Sequence, residues 1–167
     1  MKTQLLTLML IFFVFPAIPI NPPEKGAYYS SSAGKFSIVF PTQYKIETTD
    51  NGDTETVKIS STNNDQTYFA SYTVHTVELT GLEDLAEVSL NSFSEQLGAT
   101  ISGQSEWKVN KNSGLEATMY LKDQDAKVQY YVLLVGQIQY QLIVLATNSS
   151  FDQKAADAFI KSFKLDK

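Results

Sequence analysis

The 167-residue chain predicts an α+β fold, an antiparallel β-sheet with helices on both faces, in the manner of an α/β/α sandwich. Three features predict it. The first is "YYVLLVGQIQYQLIVLA" at 130–146, which reads as a hairpin turning at Gly136-Gln137. With Gly136 at the first central position of a type II′ turn, Tyr131, Leu133, Val135, Ile138, Tyr140, Leu142 and Val144 share one face. Val128, Tyr130, Val132, Leu134, Ile143 and Leu145 share the other, with Gln139 and Gln141 near the turn. A hairpin apolar on both faces must be covered on both sides. The second feature is "LEATMYLK", which alternates apolar and polar residues as a more exposed strand does. The third is a pair of helical stripes able to supply the covering layers.

Taken in order, "KFSIVFP" is a short strand stopped by Pro41. "YKIETT" leads into "DNGD", where Asn51-Gly52 tolerates the positive φ of a tight turn, and "TETVKISST" returns. "QTYFASYTVHTVEL" is a longer strand, rich in β-branched and aromatic residues. The period then changes. Leu82, Leu85, Ala86, Leu90, Phe93 and Leu97 fall on one stripe of a helix over 81–97. Thr80 and Glu83 have capping-box spacing, and Gly98 stands where a C-terminal glycine cap belongs. "ISGQSEWKVN" and "LEATMYLK" follow as strands, with turns at "KNSG" and "DQDA". The last helix begins at about Phe151, with Ser150 and Gln153 spaced as a capping box. Its buried stripe is Ala155, Ala156, Phe159, Ile160 and Phe163.

The N-terminus "MKTQLLTLMLIFFVFPAIPI" has the grammar of a secretory signal: Lys2, an apolar run from Leu5 to about Phe15, then Pro16 and Pro19. The prolines cut the run short of the roughly 20 residues that a spanning helix needs. Ala17 is the best small residue for cleavage, but the bulky Phe15 departs from the usual pattern, so a short uncleaved anchor is the alternative. The expected organisation is a signal peptide or anchor at 1–20, a flexible leader at 21–34 and one domain at 35–167. The expected location is outside the cytoplasm, periplasmic or extracellular.

Composition narrows the function. The net charge is −5 and no arginine occurs, which argues against a nucleic-acid partner. Without cysteine there is no disulfide, thiolate nucleophile or zinc-thiolate site. His75, the sole histidine, shares a strand face with Phe69, Ser71, Thr73 and Val77 and reads as a packed residue, not a general base. No G-x-S-x-G is present. Asp50, Asp53 and Glu55 resemble a fragment of a calcium loop, but the ligands stop there and the same residues suit a hairpin turn. No catalytic, metal or cofactor site is expected.

The opening "FSIVFP", the mid-chain helix, the long antiparallel run and the closing "FIKSFKL" resemble the PsbP/Mog1-like superfamily over about residues 35–165. The resemblance implies non-enzymatic work: an extrinsic photosystem II subunit, a nuclear-transport GTPase partner, periplasmic proteins and chaperones for secreted effectors. No binding residue carries over. The tyrosines offer the one hint of a surface, since tyrosine combines apolar area with a hydroxyl. Tyr120 is singled out because it lies among Glu116, Thr118 and Lys122 on the polar side of its strand. The resulting expectation is a protein-binding adaptor or chaperone-like module whose partner is another envelope or secreted protein. A carrier of a small apolar molecule is the alternative, and a hydrolase the third.

Overall fold

A computed structural model describes residues 26–76 and 84–166. Two sheets form the frame. The smaller has the order β1-β2-β10, built from Ala27–Ser31 (β1), Phe36–Phe40 (β2) and Lys164–Leu165 (β10). The larger has seven strands in the order β3-β4-β5-β9-β8-β7-β6. Its members are Lys45–Asp50 (β3), Thr54–Asn63 (β4), Gln66–His75 (β5), Thr100–Val109 (β6), Asn112–Leu121 (β7), Ala126–Val135 (β8) and Ile138–Thr147 (β9). Every pairing within the two sheets is antiparallel. The helices are Leu85–Leu97 (α1) and Gln153–Ser162 (α2).

The β8–β9 hairpin is as expected. Val135 pairs with Ile138 across two turn residues, and Gly136 has φ 59° while Gln137 keeps a negative φ. That combination is what a type II′ turn requires. Alternate residues of β8 then enter two separate cores. Leu133 joins Tyr140, Leu142 and Val144 of β9 on one face. Val128, Tyr130 and Val132 join Ile143 on the other. Leu90 and Phe93 of α1 belong to the second core, where the Phe93 and Tyr130 rings stack at 4.7 Å. Ala156 and Phe159 of α2 belong to the first.

The layering departs from the simple helix–sheet–helix expectation. On the first face α2 shares the covering layer with the small sheet, whose Phe36, Ile38 and Phe40 are fully buried against Val57, Ile59, Tyr68 and Tyr72. "FSIVFP" thus pairs not with the main sheet but across its face. The leader expected at 21–34 also contains β1, which lies on β2 with Tyr29 and Ser31 turned inward. Tyr29 packs on Phe36 and edge-on against Tyr44, and that contact is what orders the strand.

The helix ends show how local chemistry and tertiary contacts combine. Gly98 closes α1 in the left-handed conformation, φ 61°, its N–H bonded to Glu95 O. The Thr80–Glu83 box lies outside the described residues; Asp84 stands at the N-cap with no side-chain capping bond. In α2 the cap is Asp152, not Ser150: its carboxylate accepts from Ala155 N at 2.9 Å. Gln66, almost wholly buried on β5, selects that register. Its Oε1 accepts from Asp152 N at 2.6 Å and its Nε2 donates to Asp152 O at 3.1 Å and to Tyr68 Oη at 2.8 Å. Gln66→Leu would keep the volume while stranding these groups. A loss of about 2 kcal/mol in urea unfolding is expected; a change below about 0.5 kcal/mol would show that Asp152 alone sets the helix start.

Among the described residues no helix is long and apolar enough to cross a membrane.

A candidate binding cleft at the hairpin end

Several chain reversals meet at one end of the two sheets and leave an open cleft of about 1160 Å³. Its apolar floor is Val74, Val135, Ile138 and the ring of Tyr140, and Lys35, Lys111 and Asp166 contribute charge around it. Each wall follows from local chemistry. Gly136 makes the β8–β9 reversal. Asn110 takes positive φ, 55°, to turn β6 into β7 around Lys111; asparagine tolerates that region better than most residues. The turn expected at "KNSG" therefore falls two residues earlier, with Asn110-Lys111 between the paired Val109 and Asn112. Lys35 is also left-handed, φ 50°, at the entry to β2. Two bonds fix the loop before it: Tyr140 Oη donates to Gly34 O at 2.7 Å, and Asp166 N donates to Lys35 O at 2.9 Å.

The electrostatics suit binding rather than proton transfer. Burial, reinforced by the nearby Asp166 carboxylate, pushes the Tyr140 phenol up to about 12. Its proton is committed to Gly34 O. What the cleft offers a ligand is apolar area beside two ammonium groups and one carboxylate.

His75 lies behind this cleft, on the opposite strand face from Val74, with its backbone N–H bonded to Gln137 O at 2.9 Å. Its side chain is buried, as expected of a packed strand histidine, and Nε2 has no hydrogen-bond partner among the described residues. Burial lowers its basicity, while the Gln139 carboxamide, a hydrogen-bonding neighbour, offsets this in part. Gln139 in turn donates to Ser89 Oγ of α1 at 2.7 Å. The folded state thus holds His75 neutral below its ordinary value of 6.5. The unfolded chain binds that proton first, so the stability present above this value is lost as pH falls through it. Stability measured from pH 7.5 to 5.5 is expected to fall, and His75→Gln to flatten the dependence; equal slopes would remove His75 as the cause.

The other sequence candidates lie elsewhere. Tyr120 is 41% exposed and pairs across β7–β8 with Lys127. It stands eight residues along β7 from Asn112, or about 26 Å from the cleft at ordinary strand rise. Around it Lys127 Nζ donates to Gln153 Oε1 at 2.8 Å and lies 4.3 Å over the Phe151 ring. The wider tyrosine set is mostly core: Tyr29, Tyr68, Tyr72, Tyr130 and Tyr140 are buried, whereas Tyr28 is 64% exposed. Asp50 uses its carboxylate to accept from Gly52 N at 2.8 Å, the work of a turn residue. No group of three or more acidic or histidine side chains suited to a metal forms among the described residues. Lys35, Lys111 and Asp166 carried no signal in the sequence beyond their places beside turns or the chain end.

No family model and no curated protein matches the chain. Solved structures do. Cyanobacterial PsbP (CyanoP) from Synechocystis sp. PCC 6803, a solution structure, superimposes with a TM-score of 0.63 at 10% identity, over 90% of this chain and 98% of that one. A crystal structure from Bacteroides thetaiotaomicron VPI-5482 gives a TM-score of 0.45 at 11% identity, over 86% of this chain and 49% of that one. Among the described residues, ten strands in two antiparallel sheets and two α-helices, together with this superposition, make the fold PsbP-like.

Proposed function

We propose that the chain is an exported, non-catalytic module that binds another protein of the cell envelope. One observation carries this reading: the cleft at the hairpin end is open, shaped by turns, and mixes an apolar floor with charged groups. A carrier of a small apolar molecule needs an enclosed cavity that covers most of its ligand. An open cleft with ammonium and carboxylate groups instead suits a side chain or loop presented by a partner. The PsbP-like fold and the secretory grammar of residues 1–20 support the same reading. Tyr120 remains a second contact candidate, at the other end of β7.

The test is site-specific photocross-linking in producing cells. A cross-linker at Lys111 is expected to yield a discrete adduct with an envelope protein. The same group at Asp65, on the exposed β4–β5 turn at the opposite end of the large sheet, is expected to yield none. No protein adduct at Lys111, together with a small molecule retained in native mass spectrometry, would overturn the adaptor reading in favour of the carrier. Adducts confined to Tyr120 would move the contact surface away from the cleft.

A further inference from the structure

Three successive residues where β3 turns into β4, Asp50, Asn51 and Gly52, bring a base, an electrophile and a nucleophile together. Asn51 N donates to Thr54 O at 3.0 Å, and this bond closes the reversal. Gly52 takes φ 80° inside it, a conformation strained for a residue with a side chain. The turn thus favours glycine directly after Asn51. A Cβ built on Gly52 would meet nothing within 4 Å, so the turn is open on that side. Asn51 is exposed, and no hydrogen bond holds its carboxamide among the described residues. The backbone N–H of Gly52, by contrast, is held: it donates to Asp50 Oδ1 at 2.8 Å.

These are the parts of an intramolecular substitution. Attack of the Gly52 nitrogen on the Asn51 carboxamide carbon closes a five-membered imide ring. Adjacency in the chain supplies the proximity that such a step needs. An amide nitrogen is a poor nucleophile until it loses its proton, and here the carboxylate able to take that proton already lies on it. The other described asparagines lack this combination. Asn63, Asn64, Asn91, Asn110, Asn112 and Asn148 are each followed by a residue with a Cβ, which crowds the attacking nitrogen. Asn148 also has its carboxamide engaged, donating to Asp125 Oδ1 at 2.6 Å.

We propose that Asn51 is a self-modification site, converted to aspartate and isoaspartate through a cyclic imide with Asp50 as the general base. In the first step Gly52 N bonds to Asn51 Cγ, and its proton passes to the Asp50 carboxylate. The Cγ–Nδ2 bond then breaks, and the nitrogen leaves as ammonia with the proton that Asp50 returns. Water next adds to one of the two imide carbonyls. Opening at Cγ gives aspartate. Opening at the main-chain carbonyl gives isoaspartate, in which the chain runs on through the side chain. Either product adds one negative charge to the chain's −5. Isoaspartate also inserts a methylene into the main chain between β3 and β4. Because β3 is an edge strand with all six residues exposed, the longer turn loosens β3 and leaves the core strands in place. None of the three residues lines the cleft, and the proposal does not rest on the adaptor reading.

The test is to incubate the purified, folded chain at physiological temperature and pH and to read each asparagine by peptide mapping and mass spectrometry. Conversion confined to Asn51 is expected, with isoaspartate the larger product. A synthetic peptide of residues 46–56 has the same Asn-Gly pair without the fixed turn, and should react more slowly. Asp50→Asn and Asp50→Ser keep an oxygen able to accept from Gly52 N but lose the carboxylate. Each should slow the reaction by about tenfold or more. Each should also make the rate rise in proportion to hydroxide, a dependence that Asp50 flattens in the parent. The peptide comparison keeps the proposal testable if both variants loosen the turn. Asn51 intact after weeks, a peptide at least as reactive as the folded chain, or conversion spread evenly over the other asparagines would each overturn the proposal. Unchanged rates in both Asp50 variants would do so too, since no base would then be at work.

Discussion

Gly114→Ala is expected to destabilise the protein by about 3 kcal/mol or more, a large share of what a domain of this size has to lose. Gly114 lies on β7 opposite Trp107 of β6, one residue beyond the last β7–β8 pair, Leu115 with Val132. A Cβ there would overlap Val132 O and come within 3.0 Å of Leu133 Cα. Both are backbone atoms of the central strand β8, so no side-chain rotation relieves the overlap. The strands would have to part. Parting them would also disturb Trp107, which packs on Tyr131 at 5.3 Å and Phe163 at 5.6 Å. Gly103→Ala supplies the control, because a Cβ at Gly103 meets nothing within 4 Å. Paired urea unfolding curves should show Gly103→Ala within about 0.5 kcal/mol of the parent and Gly114→Ala far below it. Similar midpoints for the two variants would mean that β7 and β8 yield cheaply at this point.

The contrast between these glycines shows what a sequence can and cannot disclose. The sequence puts Gly103 inside the strand "ISGQSEWKVN" and Gly114 in the turn "KNSG", and only the position of β8 shows which of them is closely approached. Periodicity was informative where one element's pattern fixed its own geometry. The alternation of β8 and β9 disclosed both the turn and the two buried faces, and Gly98 disclosed the end of α1. Periodicity could not say which sheet β2 joins. Phe36, Ile38 and Phe40 announce a strand with one buried face, and a strand across the sheet satisfies that as well as a strand within it. β1 was missed because Tyr29 and Ser31, its two inward residues, stand in a serine-rich stretch that resembles a leader. At α2, Ser150 and Asp152 are both competent caps, and the choice was made by Gln66, 86 residues away. The cleft was invisible for the same reason. Lys35, Lys111, Gly136 and Asp166 have no motif spacing, and only the shared end of two sheets brings them together. Tyr120 was legible as exposed because strand alternation alone decides its side.

Phe36→Ala tests how the two sheets are held, and a loss of about 4 kcal/mol is expected. Phe36 is fully buried. Its ring lies 5.6 Å from Tyr29 of β1, 5.7 Å from Tyr72 of β5, 5.7 Å from Tyr140 of β9 and 5.4 Å from Phe163. One side chain thus joins the small sheet, the large sheet and the residue that leads from α2 into β10. Truncation would leave a cavity bounded by four rings, each held by its own strand or chain end and little able to collapse inward. The second core, where Phe93 stacks on Tyr130, has no contact with Phe36 and should be less affected. Local opening is therefore expected to be selective. Hydrogen exchange should accelerate first in β1, β2 and β10, while α1, β7 and β8 keep their protection. Phe36→Leu retains much of the volume and should cost about 1–2 kcal/mol, with the same ranking of segments. Uniform acceleration across both cores would show instead that the seven-stranded sheet and its small partner open as one unit, and that the aromatic junction carries no separate boundary.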